Sequence, residues 1–149
     1  MGVIRALAIA LIAFGATSSL DTSAKAELLI SAEDATRPPD LTRERDIIRG
    51  PTIRVLAPAA NSGTVTSPLR LEISFASHAG AQVDLSTLAV TYKRLPPVNL
   101  TERVRPFATS KGITMPSAEV PLGDHTILVE VRDTAGRRGW AQFSFTATK

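Results

Sequence analysis

The sequence predicts an all-β fold: an antiparallel β-sandwich with one short helix, preceded by a signal peptide and a flexible tail. Three observations predict it. Apolar and polar residues alternate strictly in five segments after Pro51, clusters of turn-forming residues separate those segments, and the helical crossovers that a parallel sheet requires are missing between them. The chain has 149 residues, 44% hydrophobic and 21% charged, with no cysteine. That excludes a disulfide framework, a thiol nucleophile, a Cys-ligated zinc and an iron–sulfur cluster.

Residues 1–26 read as the signal peptide. Arg5 supplies the basic start, Ala6 to Ala16 is an uninterrupted apolar or small stretch, and Ala24-Lys25-Ala26 is a small-residue cleavage site. Eleven apolar residues fall short of the roughly 20 that span a bilayer core as a helix, so no stable membrane span is expected after cleavage. Removing 1–26 takes away Arg5, Lys25 and Asp21 and leaves a formal charge of +2. Neither that charge nor the aromatic content, 5 Phe, 1 Tyr and 1 Trp, suits a nucleic-acid surface. The expected address is periplasmic or secreted.

Residues 27–50 are charged, carry Pro38-Pro39 and hold no sustained period, which reads as a flexible tail or linker, or else a docking segment. Within them Asp40 is placed to cap a short helix that sets Leu41 and Ile48 on one side.

The domain proper is expected over 51–149. Its first strand sets Ile53 and Val55 inward. The second alternates Leu69, Leu71, Ile73 and Phe75 with Arg70, Glu72 and Ser74, and the third offers Leu88, Val90 and Tyr92. Ile127, Val129 and Val131, then Ala141, Phe143 and Phe145, form the last two apolar rows. A one-residue slip would turn each row outward, so the register is strongly specified. Asn99-Leu-Thr-Glu102 marks a helix start, with Leu100, Val104 and Phe107 on one side and Pro106 limiting it to a turn or two across an open end of the sandwich. Ile113 to Val120, with Pro116 inside, reads as an edge strand.

The run Pro121-Leu-Gly-Asp-His-Thr-Ile-Leu-Val-Glu-Val-Arg-Asp-Thr-Ala-Gly136, followed by a strand ending Phe143-Ser-Phe145, resembles the last hairpin of bacterial Ig-like modules. The resemblance implies an Ig-like sandwich with no shared catalytic residues. The Cys, Trp, Cys core triad of antibody domains is absent. His125 stands where many sandwiches place a corner tyrosine, whose bond to upstream backbone an imidazole N–H can replace. Asp133 is expected to accept backbone N–H groups in its turn, with Gly136 or Gly139 supplying positive φ.

No catalytic, cofactor-binding or metal-binding residues are assigned. The only histidines are His78 and His125, and no nucleophile-elbow, S-x-x-K or zincin motif occurs. The expectation is therefore a non-catalytic interaction or accessory module of the bacterial envelope, with an envelope or extracellular protein as partner. The candidate contact residues are Trp140, Arg137, Arg138, Arg103 and Arg105, which offer a basic surface and an aromatic anchor. The alternative is a small carbohydrate- or calcium-binding module using Trp140 or the turn residues Asp84, Asp124 and Asp133.

Overall fold

The computed structural model describes residues 25–59 and 62–149. The expected signal peptide therefore lies, up to Ser23 and Ala24, outside the described residues. Apolar alternation from Leu69 onward builds two facing sheets. The strands are β1 (Glu27–Leu28), β2 (Thr52–Ala57), β3 (Thr64–Thr66), β4 (Leu69–Ala76), β5 (Val83–Tyr92), β6 (Val98–Asn99), β7 (Ala108–Thr109), β8 (Gly112–Glu119), β9 (Gly123–Asp133) and β10 (Arg138–Thr148). One sheet has the order β1-β8-β4-β2, with β7 also on β8, and the other β3-β10-β9-β5-β6. Most pairings are antiparallel, as expected. Two are parallel, β1 with β8 and β3 with β10, because each joins segments separated by most of the chain rather than by a hairpin.

The predicted rows meet between the sheets. Leu71, Ile73, Val90, Tyr92, Ile113, Met115, Ile127, Val129 and Val131 are all at most 2% exposed. A side chain of this kind is stabilising by about 1.5–3 kcal/mol when fully buried, so a register slip in β4 or β9 is costly. Ile53 and Val55 pack against the core from a half-buried position. Ala141 is only half-buried.

Pro116 sits in a β-bulge. The partners of Leu69 and Leu71 are Ala118 and Met115, so Pro116 and Ser117 together oppose Arg70. On its other side β8 pairs with β7 at residues 112–113 and with β1 at 118–119. Pro116 falls in the gap between these two short partners, where a missing N–H breaks no ladder. The expected edge strand is thus an edge only in its middle.

Two short helices occur among the described residues, α1 (Ala32–Ala35) and α2 (Thr101–Val104), the latter followed by a 3-10 turn, Arg105–Phe107. The residue at the N-cap of α2 is Leu100, with no side-chain cap, and the expected cap Asn99 instead makes a local turn just before the helix, its Oδ1 accepting the Thr101 N–H at 2.8 Å. The placement of α2 also differs from expectation. Because α2 links β6, paired at residues 91–92 of β5, to β7, paired at 112–113 of β8, it runs along the side between the two sheets and not across an end. Leu100 and Val104 are fully buried there.

The largest departure concerns 27–50, expected as a flexible tail. Leu29 and Ile30 are 0% and 1% exposed and belong to the core. The N–H groups of both bond the Glu119 carbonyl, at 3.0 and 3.2 Å, continuing the short β1 ladder. Ser31 and Asp34 form a reciprocal capping box on α1. The chain then passes below β5, where Leu95 N–H donates to the Pro38 carbonyl and Asp40 N–H to that of Lys93. It climbs over the outer face of the second sheet and returns to the first at β2. The helix expected from Asp40 does not form: residues 40–49 are irregular, and Asp40 Oδ1 accepts from Thr42 N–H and Oγ1–H instead. The segment is integrated because it carries two core residues that its polar composition masks.

Candidate functional site

Most of the charged residues singled out as partner contacts are engaged with the chain itself. Arg103, on α2, donates from Nη1 to the Leu29 carbonyl at 2.9 Å and to Asp34 Oδ2 at 2.8 Å, which locks α1 and the core entry of residues 29–30 to the side of the sandwich. Burial alone would raise the Asp34 pKa, but hydrogen bonds from Arg103 and Ser31 outweigh it and hold the carboxyl below its ordinary range. Arg105 pairs with Glu102 on the exposed side of the same helix, at 3.1 Å, a contact of little energetic weight.

The tip of the β9–β10 hairpin is built around Asp133. Its Oδ1 accepts the N–H groups of Ala135 and Arg137, both at 2.9 Å, and its Oδ2 accepts from Arg137 Nε at 2.8 Å. Burial opposes ionisation here too, yet these donors lower the pKa of the carboxyl. Gly136 adopts φ +78°, as the turn requires. Gly139 does not have positive φ. It is needed because a Cβ there would stand 2.0 Å from the Pro51 carbonyl oxygen, where the chain enters β2. Arg137 also donates to the His78 carbonyl at 3.0 Å.

Arg138 and Trp140 project from β10 toward residues 40–49. Arg138 binds Glu130 on the neighbouring strand, Asp46 at 3.1 Å and Glu44 at 3.5 Å. The Trp140 Nε1–H donates to the Asp46 carbonyl at 3.3 Å. At the other end of this segment Lys93 Nζ, nearly buried, pairs with Asp40 at 2.7 Å and donates to Thr42 Oγ1 at 3.0 Å. The bond from Lys93, with those from Thr42, pulls the Asp40 pKa down to about 2. Residues 40–49 are thus a strap across the second sheet, fastened at both ends.

His125 is 2% exposed. Its Nε2 lies 2.7 Å from the Pro121 carbonyl and its Nδ1 2.8 Å from the Tyr92 hydroxyl. A carbonyl only accepts, so Nε2 carries the proton, Nδ1 accepts, and the Tyr92 O–H donates to it. The Tyr92 oxygen in turn accepts from Arg94 Nη2, whose guanidinium also stacks over the Tyr92 ring at 4.8 Å. This is the expected corner, made by an imidazole bonding backbone four residues upstream. Burial keeps the imidazole pKa below 6.5, with the nearby Arg94 charge adding to it and the Pro121 bond opposing.

The residues considered for chemistry are not brought together. His78, bonded to Thr52 Oγ1 at 2.6 Å, lies in the β4–β5 loop at one end of the sandwich, and His125 lies at the start of β9 at the other. Asp84 serves a bulge in β5, its Oδ1 accepting from Ser86 N–H and Ser86 Oγ–H at 3.1 and 2.6 Å. Asp124 accepts from Thr146 at 2.6 Å, at the opposite end from Asp84 and Asp133. Among the described residues no group of three His, Asp or Glu is arranged to hold a metal ion. Tyr92 is fully buried and Trp140 half-covered by the strap, so the two form no aromatic platform.

Sequence reasoning missed Asp34, Lys93 and Arg94, and read Asp40 as a helix cap. The capping-box pattern Ser31-Ala-Glu-Asp34 signals the first. Nothing local signals that Lys93 binds the strap or that Arg94 bonds the Arg37 carbonyl just before it. A cleft of about 390 Å³ opens beside them, lined in part by Pro39, Leu41, Leu122 and His125.

No family model matches the chain. No curated protein matches it either. Among solved structures the chain is similar to a crystallised engineered protein, a Northeast Structural Genomics Consortium target, with 12% identity and a TM-score of 0.44 over 66% of this chain and 20% of that one. This chain therefore spans about a fifth of that protein's length.

Proposed function

We propose that the protein is an exported, non-catalytic Ig-like module of the bacterial envelope that serves as an interaction or accessory domain. The strand order carries this reading. With β2, β4 and β8 as strands A, B and E, and β5, β9 and β10 as C, F and G, the two sheets have the neighbours A-B-E and C-F-G of the immunoglobulin arrangement. The β9–β10 hairpin with its His125 corner falls on strands F and G, where the sequence resemblance lies. Export is supported by Arg5, the apolar run Ala6 to Ala16 and the Ala24-x-Ala26 site. Cleavage after Ala26 would leave intact every described core residue, the first being Leu29. The engagement of His125, Asp133 and Asp84 in bonds that shape the fold supports a scaffold without assembled chemistry.

Two measurements test the reading. Residues 1–26 fused to a phosphatase that is active only outside the cytoplasm should give an active reporter, and a reporter retained inside would overturn export. The chain from Lys25 to Lys149 should turn over nothing in a broad hydrolase panel. Turnover abolished by His78→Ala or His125→Gln, with the melting midpoint retained, would overturn the non-catalytic assignment.

A further inference from the structure

The strap separates its charges by side. Asp40, Thr42, Glu44 and Asp46 all have partners on the sheet beneath: Lys93 holds the first two, and Arg138 holds Glu44 and Asp46. The residues between and beyond them face away. Leu41, Ile47 and Ile48 are 84%, 72% and 50% exposed, and Arg43, Arg45 and Arg49 are exposed as well. Among the described residues, none of these three arginines forms an ion pair. The acidic side chains next to them in sequence are drawn toward the sheet by Lys93 and Arg138, so the outer side of the strap is a ridge that presents three guanidinium groups without an ion pair among the described residues beside three apolar side chains.

We infer that this ridge is a docking surface for an anionic phospholipid bilayer. Charge complementarity fixes the sign of the partner: three unpaired cations on one exposed chain attract a negative surface. Shape and apolar content select a bilayer over an acidic protein. The ridge is a single chain lying proud of a sheet, and the cleft beside Lys93 and Arg94 reaches it only at Leu41, whereas a stable protein interface needs about 800 Å² of complementary surface on each partner. A lipid interface needs no such complement. It accepts leucine and isoleucine at the acyl boundary and places phosphates against arginine. The arginines of the hairpin tip and α2, expected to provide the basic surface, are taken up by carboxylates of the chain itself, whereas three arginines without an ion pair among the described residues stand close together on the segment that was expected to be a tail. The inference rests on the reading of the protein as an interaction module and adds the class of partner. It concerns residues 40–49 alone, so its failure would leave export and the absence of turnover standing.

The test uses flotation with large vesicles of phosphatidylcholine, with and without a third of phosphatidylglycerol, and the chain from Lys25 to Lys149, which contains every described element. Ala6 to Ala16 would bind lipid by itself. Binding is expected to the anionic vesicles only, to fall with salt, and to weaken about fivefold for each of Arg43→Gln, Arg45→Gln and Arg49→Gln, on the order of a hundredfold for the triple variant. Leu41→Ser with Ile47→Ser should weaken it further at high salt. All these side chains are exposed, so the variants should melt with the parent chain, and Arg70→Gln on the opposite sheet should bind as the parent does. Repeating the comparison in the full-length chain, as the difference between parent and triple variant, covers the case in which the shorter chain does not fold. Equal binding to both vesicle types, no binding to either, an equal loss with Arg70→Gln, or binding only to a soluble acidic polypeptide would each overturn the inference.

Discussion

Tyr92 and His125 share a hydrogen bond of 2.8 Å inside the sandwich, and the Pro121 carbonyl on the other ring nitrogen settles the direction of every proton in the corner. The hydroxyl donates to Nδ1, Nε2–H donates to Pro121, and Arg94 donates to the hydroxyl. Tyr92→Phe keeps the ring but leaves Nδ1 without a donor, while Arg94 retains the Asp124 and Arg37 carbonyls as acceptors. A buried group so orphaned costs about 1–3 kcal/mol. Urea denaturation should show a loss of that size with an unchanged slope.

The same corner makes stability depend on pH. Burial depresses the His125 pKa below 6.5 in the folded chain, so the unfolded chain takes up the proton more readily. The contribution is therefore complete above the ordinary histidine value and is lost as pH falls from there through the depressed value. Melting midpoints measured between about pH 8 and 5 should fall toward acid, and His125→Gln should flatten the fall. A separate loss is expected in stronger acid. Asp40, at about 2 against an ordinary 3.8, stabilises fully above 3.8 and loses that contribution as pH drops toward 2. Asp40→Asn should weaken this second dependence, and Asp34 and Asp133, whose carboxyls are also held below their ordinary range, account for the rest.

Much of the fold was legible because strands with one buried face write their pattern at period two. Leu69 to Phe75 and Ile127 to Val131 could be placed from sequence alone, as could the Asp133 turn and the bond of His125 to Pro121, which are local, whereas the Tyr92 partner of His125, 33 residues away, could not. Leu29 and Ile30 could not. Two apolar residues beside a charged segment carry no period, and their burial depends on β8, some 90 residues away. Trp140 and Arg138 were read as contacts for a partner molecule, and both bond to Asp46 of the same chain, a pairing that only the path of the strap creates.

The close approach of β10 to the start of β2 gives a third expectation. A Cβ at residue 139 meets backbone oxygen at 2.0 Å, and neither strand has a flexible side chain to yield. Gly139→Ala should cost about 1–3 kcal/mol, the usual range for overpacking. At Gly136, where a Cβ meets nothing within 4 Å, the cost of alanine should come from its φ of +78° alone.

Arg138 should govern access to the strap. Arg138→Gln removes the cation shared by Glu44, Asp46 and Glu130 and leaves three carboxylates facing one another. Because these groups are partly exposed, the global loss should be modest, about 1 kcal/mol. Local opening should rise more. Trypsin should cut after Arg43 and Arg45 faster in the variant than in the parent chain, while fragments from the sandwich strands stay protected.

The integration of residues 27–50 into the domain is the claim from which the strap, its ridge and the internal engagement of Arg103 and Arg138 all follow. Urea denaturation of the chain from Lys25 to Lys149 beside one from Pro51 to Lys149 tests it. Losing Leu29 and Ile30 opens the core at two fully buried positions, each worth about 2–5 kcal/mol. The shorter chain should therefore unfold at a much lower urea concentration or show no cooperative transition. Equal midpoints for the two chains would contradict the claim.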